Sequence, residues 1–209
     1  MKKMFIILLS IILSFNAVAY EFKNGREYTQ TKKIIHNIPN IIEFFSFFCP
    51  YCYEFEKIHH IQYLTKNNFK KNISFQKYHV NFLGGKLSPI LTKSWIIAQQ
   101  MGIEKKIILP IFQGIQDTHT IHNINDIKKI FKNKAGINEN QFNNFWNSLT
   151  LKILIKKINQ DIKKSHLDHI PMILINGKYI IDYDKLEKIF HKNFSKKYIE
   201  LINFLIQKK

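Results

Sequence analysis

The chain of 209 residues contains only two cysteines, so no network of structural disulfides holds it together. A chain of this length does not need one, because it can bury a sizeable core unaided. The two cysteines are Cys49 and Cys52, and a bridge closing so short a loop removes little entropy from the unfolded chain. Stability is a poor reason for that spacing. There is no second C-x-x-C. His59-His60 lies on the same predicted helix seven residues beyond Cys52, and does not supply the two further ligands at matched spacing that a zinc site needs. Tyr53 stands where covalent haem attachment requires His. Neither a metal nor another cofactor is expected.

Acidic residues are also scarce, 15 against 32 Lys and Arg, for a formal charge of +17. Such a balance can mark a nucleic-acid or anionic-membrane partner. Here the basic residues are scattered, with Lys-Lys pairs starting at 32, 70, 105, 128, 156, 163 and 196 and no dense stripe. Ile, Lys, Asn and Phe are used heavily throughout, as a genome-wide nucleotide bias would produce. The lysines read as solvated faces, and nucleic acid is not an expected partner. Internal repeats and low-complexity linkers are absent.

Long apolar runs are missing after the N-terminus. Lys2 and Lys3 precede an apolar run from Met4 to Phe15, and Ala17-Val18-Ala19 gives the small-x-small pattern cut by a signal peptidase. The run is shorter than the roughly 20 residues of a bilayer span; an uncleaved anchor is the alternative. The expectation is a signal peptide over 1–19, cleaved after Ala19, and an exported product with no stable membrane insertion. In an oxidising compartment the Cys49–Cys52 pair can cycle between dithiol and disulfide.

Hydrophobic pattern places the pair between a strand and a helix. Ile41 to Phe48 has the residue types of a buried strand, and Tyr53 to about Asn67 reads as a helix. Pro50 fits a helix start, where its missing N–H costs nothing. Ile73 to Val80 alternates as a second strand. From about Ser88 to His166 nearly every segment reads as helix. Ser88-Pro89 starts one that Gly102 stops. A second runs from Glu104 to about Gln116, kinked at Pro110. Asn125-Asp126 caps a third that ends at Ala135-Gly136. A fourth runs from Asn138 toward Ser165 without Gly or Pro. Strand character returns at Met172 to Ile175, the turn Asn176-Gly177 and Tyr179 to Ile181, a hairpin signal, before a C-terminal helical region. This order describes an α/β domain interrupted by a helical insertion.

A cysteine at a helix N-terminus faces unpaired N–H groups and the positive end of the helix dipole, which favour thiolate. Cys49 is therefore expected to be exposed and to be the attacked sulfur, with Cys52 one turn further in and behind it. His59, His60 and His79 read as structural or solvent-facing, because exchange at a stable thiolate needs no base.

Glu43-Phe44-Phe45-Ser46-Phe47-Phe48-Cys49-Pro50, Lys77-Tyr78-His79-Val80-Asn81-Phe82, Gly84-Gly85, Ile170-Pro171 and Asn176-Gly177-Lys178-Tyr179 closely resemble the DsbA family of periplasmic disulfide-forming oxidases. The resemblance spans essentially the whole chain after residue 19. It implies a thioredoxin-like fold made of 20–81 and 159–209, with an all-helical insertion over 82–158. It implies a cis Ile170–Pro171 bond beside the cysteines, where Ile170 pairs with an extended substrate and Pro171 keeps metal out; read alone, Pro171 is a strand-start proline. It also implies that Glu43 lies behind Cys52 with Lys77 on the next strand, the two steering the proton of Cys52. On the residues alone, a carboxylate in a buried strand has to be paired or protonated, or else sit at an exposed or bulged edge.

The implied partners are unfolded exported proteins and a DsbB-like membrane quinone reductase that reoxidises the pair. Two other readings stand beside this one: a periplasmic reductase or isomerase, and a non-catalytic peptide-binding chaperone. Isomerases of the superfamily usually carry an N-terminal dimerisation domain, and too few residues precede Ile41 to form one. Tyr51 is a departure, since many family members have His there. A phenol brings no positive charge at neutral pH, so Tyr51 implies a milder oxidant. Cys-Pro-Tyr-Cys is also similar to the glutaredoxin site, but glutaredoxins are short cytosolic chains without such an insertion.

Overall fold

The computed structural model describes residues 20–59 and 72–208. The proposed signal segment, the distal half of the first predicted helix and His60 lie outside them, as does the side chain of His59. Among the described residues, five strands form one mixed sheet: β1 (Thr29–Gln30), β2 (Ile41–Phe45), β3 (Phe75–His79), β4 (Met172–Ile175) and β5 (Tyr179–Asp182), in the order β1-β5-β4-β2-β3. β2 pairs parallel with β3 and antiparallel with β4, and the other pairs are antiparallel. Two-residue β1 is too short to carry an alternating pattern, and the sequence does not announce it. Asn176 and Gly177 both take positive φ in the β4–β5 turn. A Cβ on Gly177 would lie 2.0 Å from the Ile35 carbonyl oxygen, so this position requires glycine.

Alternation along the strands divides the core. Ile42, Phe44, Met172 and Leu174 face one hydrophobic cluster, and Ile41, Ile173, Ile175 and Ile181 face the other. The second cluster is closed by α7 (Tyr183–Phe190) and α8 (Phe194–Gln207). The first runs without interruption into the helical region, taking in Trp95, Ile107, Phe112, Phe131 and Phe142. Each such aromatic, fully buried, contributes about 1.5–3 kcal/mol over leaving it exposed. The helical region is thus fastened to the sheet by shared core. It is also fastened by hydrogen bonds: Trp95 Nε1 donates to the Lys77 carbonyl at 2.8 Å, and the Tyr78 hydroxyl donates to Asp161 at 3.1 Å.

After α1 (Pro50–His59), the helical region comprises α2 (Ser88–Gln100), α3 (Glu104–Phe112), α4 (Ile124–Ala135), α5 (Glu139–Trp146) and α6 (Leu149–Lys164). α2 starts and stops where Ser88-Pro89 and Gly102 predict. α3 reaches past Pro110, as expected, and passes into a π-helical turn, Gln113–Asp117. Two expectations need correction. The cap of α4 is Asn123, whose side chain accepts from Asn125 N–H, rather than Asn125-Asp126. The predicted long helix from Asn138 is two, because the Ser148 hydroxyl caps Leu151 N–H at 3.1 Å and also donates to the Phe145 carbonyl. A side chain that satisfies backbone groups locally competes with helix continuation. α6 then runs unbroken through position 158.

Candidate active site

The end of β2 delivers the chain into a tight turn, with Cys49 N–H donating to the Ser46 carbonyl at 3.0 Å and Phe48 N–H to the Ser46 hydroxyl at 3.2 Å. α1 begins at Pro50, and Tyr53 N–H closes its first turn on the Cys49 carbonyl at 3.1 Å. Cys49 therefore caps the helix, and the Cys52 backbone N–H points at its sulfur across 3.2 Å. Both cysteines are free thiols.

Their environments separate them. The Cys52 thiol donates to the Cys49 sulfur and holds the Cys49 pKa below the ordinary thiol value; burial opposes this, and the N–H groups of Cys52 and Tyr51 reinforce it. Burial pushes Cys52 well above the ordinary value. Its hydrogen bond to Cys49 and the Cys49 charge add to that, a backbone hydrogen bond from Ser46 opposes it, and the Glu43 charge adds a little more. One sulfur is thus prepared as thiolate and the other as thiol.

The expectation of an exposed Cys49 is not met: Cys49 is 4% and Cys52 3% exposed. The reason is the loop before β4, which brings the Ile170 carbonyl to 3.8 Å from the Cys49 sulfur. The Ile170–Pro171 bond is cis. Ile170 is half-buried and Pro171 buried, whereas Pro50 and Tyr51 lie at the surface.

Glu43 sits in the middle of β2, directly opposite Lys77 of β3, and both side chains are buried. Lys77 Nζ lies 2.8 Å from Glu43 Oε1 and 2.6 Å from Glu56 Oε2. Glu56 of α1 is the residue that sequence reasoning missed. It follows Cys52 by one helical turn and shares its face. Burial raises the Glu43 pKa above the usual carboxylate value; Lys77 opposes this and Glu56 adds to it. Glu43 Oε2 has no hydrogen-bond partner among the described residues. Burial disfavours the Lys77 ammonium, but Glu43 and Glu56 more than offset it and leave its pKa raised. The trio holds two carboxylates against one ammonium.

His79 is buried, stacked on Phe47, and bonded through Nδ1 to Thr92 Oγ1 at 2.8 Å. Burial pushes its pKa down to about 3, so the ring is neutral and structural. No group of three or more His, Cys, Asp or Glu among the described residues could hold a metal ion. A groove of about 780 Å³ lined by residues 31–37 and 164–166 and by Ile180 includes none of the residues above.

A dithiol at the start of a helix, on a mixed sheet with a cis proline opposite, defines a thioredoxin-like thiol–disulfide protein carrying inserted helices. Residues 40–192 match the DSBA-like thioredoxin domain family. The whole chain is 66% identical to the thiol:disulfide interchange protein DsbA of Buchnera aphidicola from Acyrthosiphon pisum, over 99% of that protein. It is 35% identical to the DsbA of Escherichia coli K12, over all of that protein. The crystal structure of Proteus mirabilis DsbA superposes with a TM-score of 0.82 at 29% identity, covering 90% of this chain and 98% of that one. A complex of Proteus mirabilis DsbA with a non-covalently bound peptide, PWATCDS, gives 0.83 at 28% identity, covering 90% and 100%. The chain belongs to the DsbA family and is a protein-disulfide oxidoreductase.

Proposed function

We propose that the chain donates the Cys49–Cys52 disulfide to newly exported proteins in the periplasm, after signal-peptide cleavage at Ala19, and that it works as a monomer. A substrate thiolate attacks the Cys49 sulfur. The new bond joins substrate to Cys49, the Cys49–Cys52 bond breaks, and Cys52 leaves with the electron pair and takes up a proton. A second substrate thiolate then attacks the substrate sulfur of the mixed disulfide and releases Cys49 as thiolate. The substrate is oxidised by two electrons and the protein reduced by two. A DsbB-like membrane quinone reductase takes those electrons and restores the disulfide.

The observation that carries this direction is the opposite displacement of the two thiol pKa values, Cys49 down and Cys52 up. Stabilising the Cys49 thiolate stabilises the reduced form, and a stable reduced form makes the disulfide oxidising. Raising Cys52 ensures that the expelled sulfur is protonated and does not return to the mixed disulfide. Glu43, held toward its acid form beside Lys77, steers that proton to and from Cys52. Pro50 and Tyr51 tune the couple from within the tetrad. Ile170 and Pro171 receive the substrate backbone; the peptide bound by the Proteus mirabilis relative itself contains a cysteine. No described helix is long and apolar enough to cross a membrane. Residues 20–81 and 159–209 form the redox domain and 82–158 the insertion.

The test is oxidation of a reduced, unfolded protein by the purified oxidised chain starting at Tyr20. Stoichiometric disulfide transfer, abolished in Cys49→Ser and in the double Cys→Ser variant, is expected. Assistance to folding that survives loss of both sulfurs would replace this reading with a peptide-binding chaperone.

A further inference from the structure

The helical insertion packs on the redox loop through Trp95 and Phe112, which contact Phe47, and it also hydrogen-bonds the loop. Gln116 lies in the π-helical turn Gln113–Asp117 that follows α3. Its Nε2 donates to the Phe47 carbonyl at 2.8 Å and to the Cys49 carbonyl at 3.1 Å. An amide nitrogen has two hydrogens, and the redox loop takes both. Two carbonyl oxygens can be met only by the NH2 end, so the orientation of this amide follows from its partners. Beside it, Asp117 accepts a hydrogen bond from the Tyr53 hydroxyl at 2.6 Å, and the Tyr53 ring stacks on Phe112 at 5.2 Å. A π turn widens the helix by one residue and is a frequent device at functional sites. Here it carries two successive side chains to the redox site, Gln116 to the loop carbonyls and Asp117 to α1.

We propose that Gln116 is a positioning residue for the disulfide exchange, holding the Cys49 backbone so that its sulfur remains under the Cys52 N–H and beside the Ile170 carbonyl. The inference rests on Cys49 being the attacked sulfur. Without Gln116, the Phe47 and Cys49 carbonyls, two residues apart across Phe48, lose the donor that pins both. Tyr53 N–H still reaches the Cys49 carbonyl, but the turn entering the helix is then free to shift. The Gln116 amide also presents the positive end of its dipole to the peptide of the residue whose sulfur becomes negative on reduction. It thereby favours the reduced, thiolate state over the disulfide. On this account the insertion helps to set the reactivity of the cysteine as well as covering it.

Titrating the Cys49 thiolate by its ultraviolet absorbance, together with a glutathione equilibrium, tests this in the chain from Tyr20. Gln116→Met keeps the length and removes both donors. It should raise the Cys49 pKa by about half a unit to one unit, the equivalent of one ordinary hydrogen bond, and shift the equilibrium by up to about tenfold toward the oxidised protein. Gln116→Lys keeps donors and adds charge, and should move the pKa down. Tyr53→Phe removes the neighbouring bond to Asp117 while sparing the loop carbonyls, and should lower stability without moving the Cys49 pKa.

An unchanged pKa in Gln116→Met would overturn the proposal, as would an equal shift in Tyr53→Phe. If Gln116→Met does not fold, Gln116→Lys decides alone, and a pKa that stays or rises there is fatal. A wild-type protein with an ordinary Cys49 pKa would overturn the reading of Cys49 itself, and this inference with it.

Discussion

Two carboxylates sharing one ammonium behind the active-site helix carry a net negative charge that a proton relieves, and Glu43 is the group poised to take it. Its raised pKa means that the folded protein keeps a proton there after the unfolded chain has released its own. That contribution to stability is complete below the ordinary carboxylate pKa and is lost as pH rises through the raised one. Glu43→Gln removes the loss and leaves Lys77 paired with Glu56 at 2.6 Å. The variant should therefore gain on wild type as pH rises above the ordinary carboxylate pKa, read from denaturant midpoints. Lys77→Met leaves two buried carboxylates unpaired and should cost roughly 3–5 kcal/mol at neutral pH. If Glu43 steers the Cys52 proton, Glu43→Gln should also change the pH dependence of Cys52 attack on a mixed disulfide. Tyr51 is the other residue with a distinct expectation. Its side chain is 56% exposed, so an imidazole placed there would stand free to interact with the Cys49 thiolate. Tyr51→His should make the couple more oxidising, by roughly 30 mV for each unit by which the Cys49 pKa falls. An unchanged glutathione equilibrium would remove Tyr51 from the tuning account. Glu43 and the tetrad were legible because a carboxylate in an apolar strand and a cysteine pair at a helix start stand out, whereas Lys77, one of many lysines, was marked only by the family resemblance. Glu56 and Gln116 were not legible, because a polar residue on a helix looks like a solvated face until the partner that buries it is known.

At the scale of elements, the sequence predicts the strands and helices that have strong periodicity and misses boundaries set by single side chains. β3 and the β4–β5 hairpin fall where alternation and Asn176-Gly177 place them, and β2 takes only the first five residues of the apolar run from Ile41 to Phe48 before the chain turns at Ser46. The break between α5 and α6 does not, because the apolar spacing from Phe142 to Ile153 continues through it unchanged. Only the Ser148 hydroxyl, turned onto Leu151 N–H, marks the new start. Ser148→Ala should consequently cost about 1 kcal/mol, seen as a lower denaturant midpoint with an unchanged slope. The π turn after α3 is similarly silent in sequence, although it delivers Gln116 and Asp117 to the redox helix. Pro110 announces that α3 is irregular without saying how the irregularity is resolved.

For the whole molecule, the sheet, the insertion and the loop before β4 converge on one pair of sulfurs whose proton affinities differ in opposite senses. This difference has a direct consequence for the potential. Between the lowered Cys49 pKa and the raised Cys52 pKa, reduction consumes two electrons and one proton, and the potential should fall by about 30 mV per pH unit. Below the Cys49 pKa it consumes two protons and should fall by about 59 mV per pH unit. The account is tested most directly by the glutathione equilibrium of the Cys49–Cys52 couple, measured from about pH 5 to 9 in the chain beginning at Tyr20. It predicts a couple more oxidising than glutathione, at about −240 mV near neutrality, with the change of slope below the ordinary thiol pKa of about 8.5. A potential near thioredoxin's value of about −270 mV, with the steeper slope persisting to about pH 8, would contradict it.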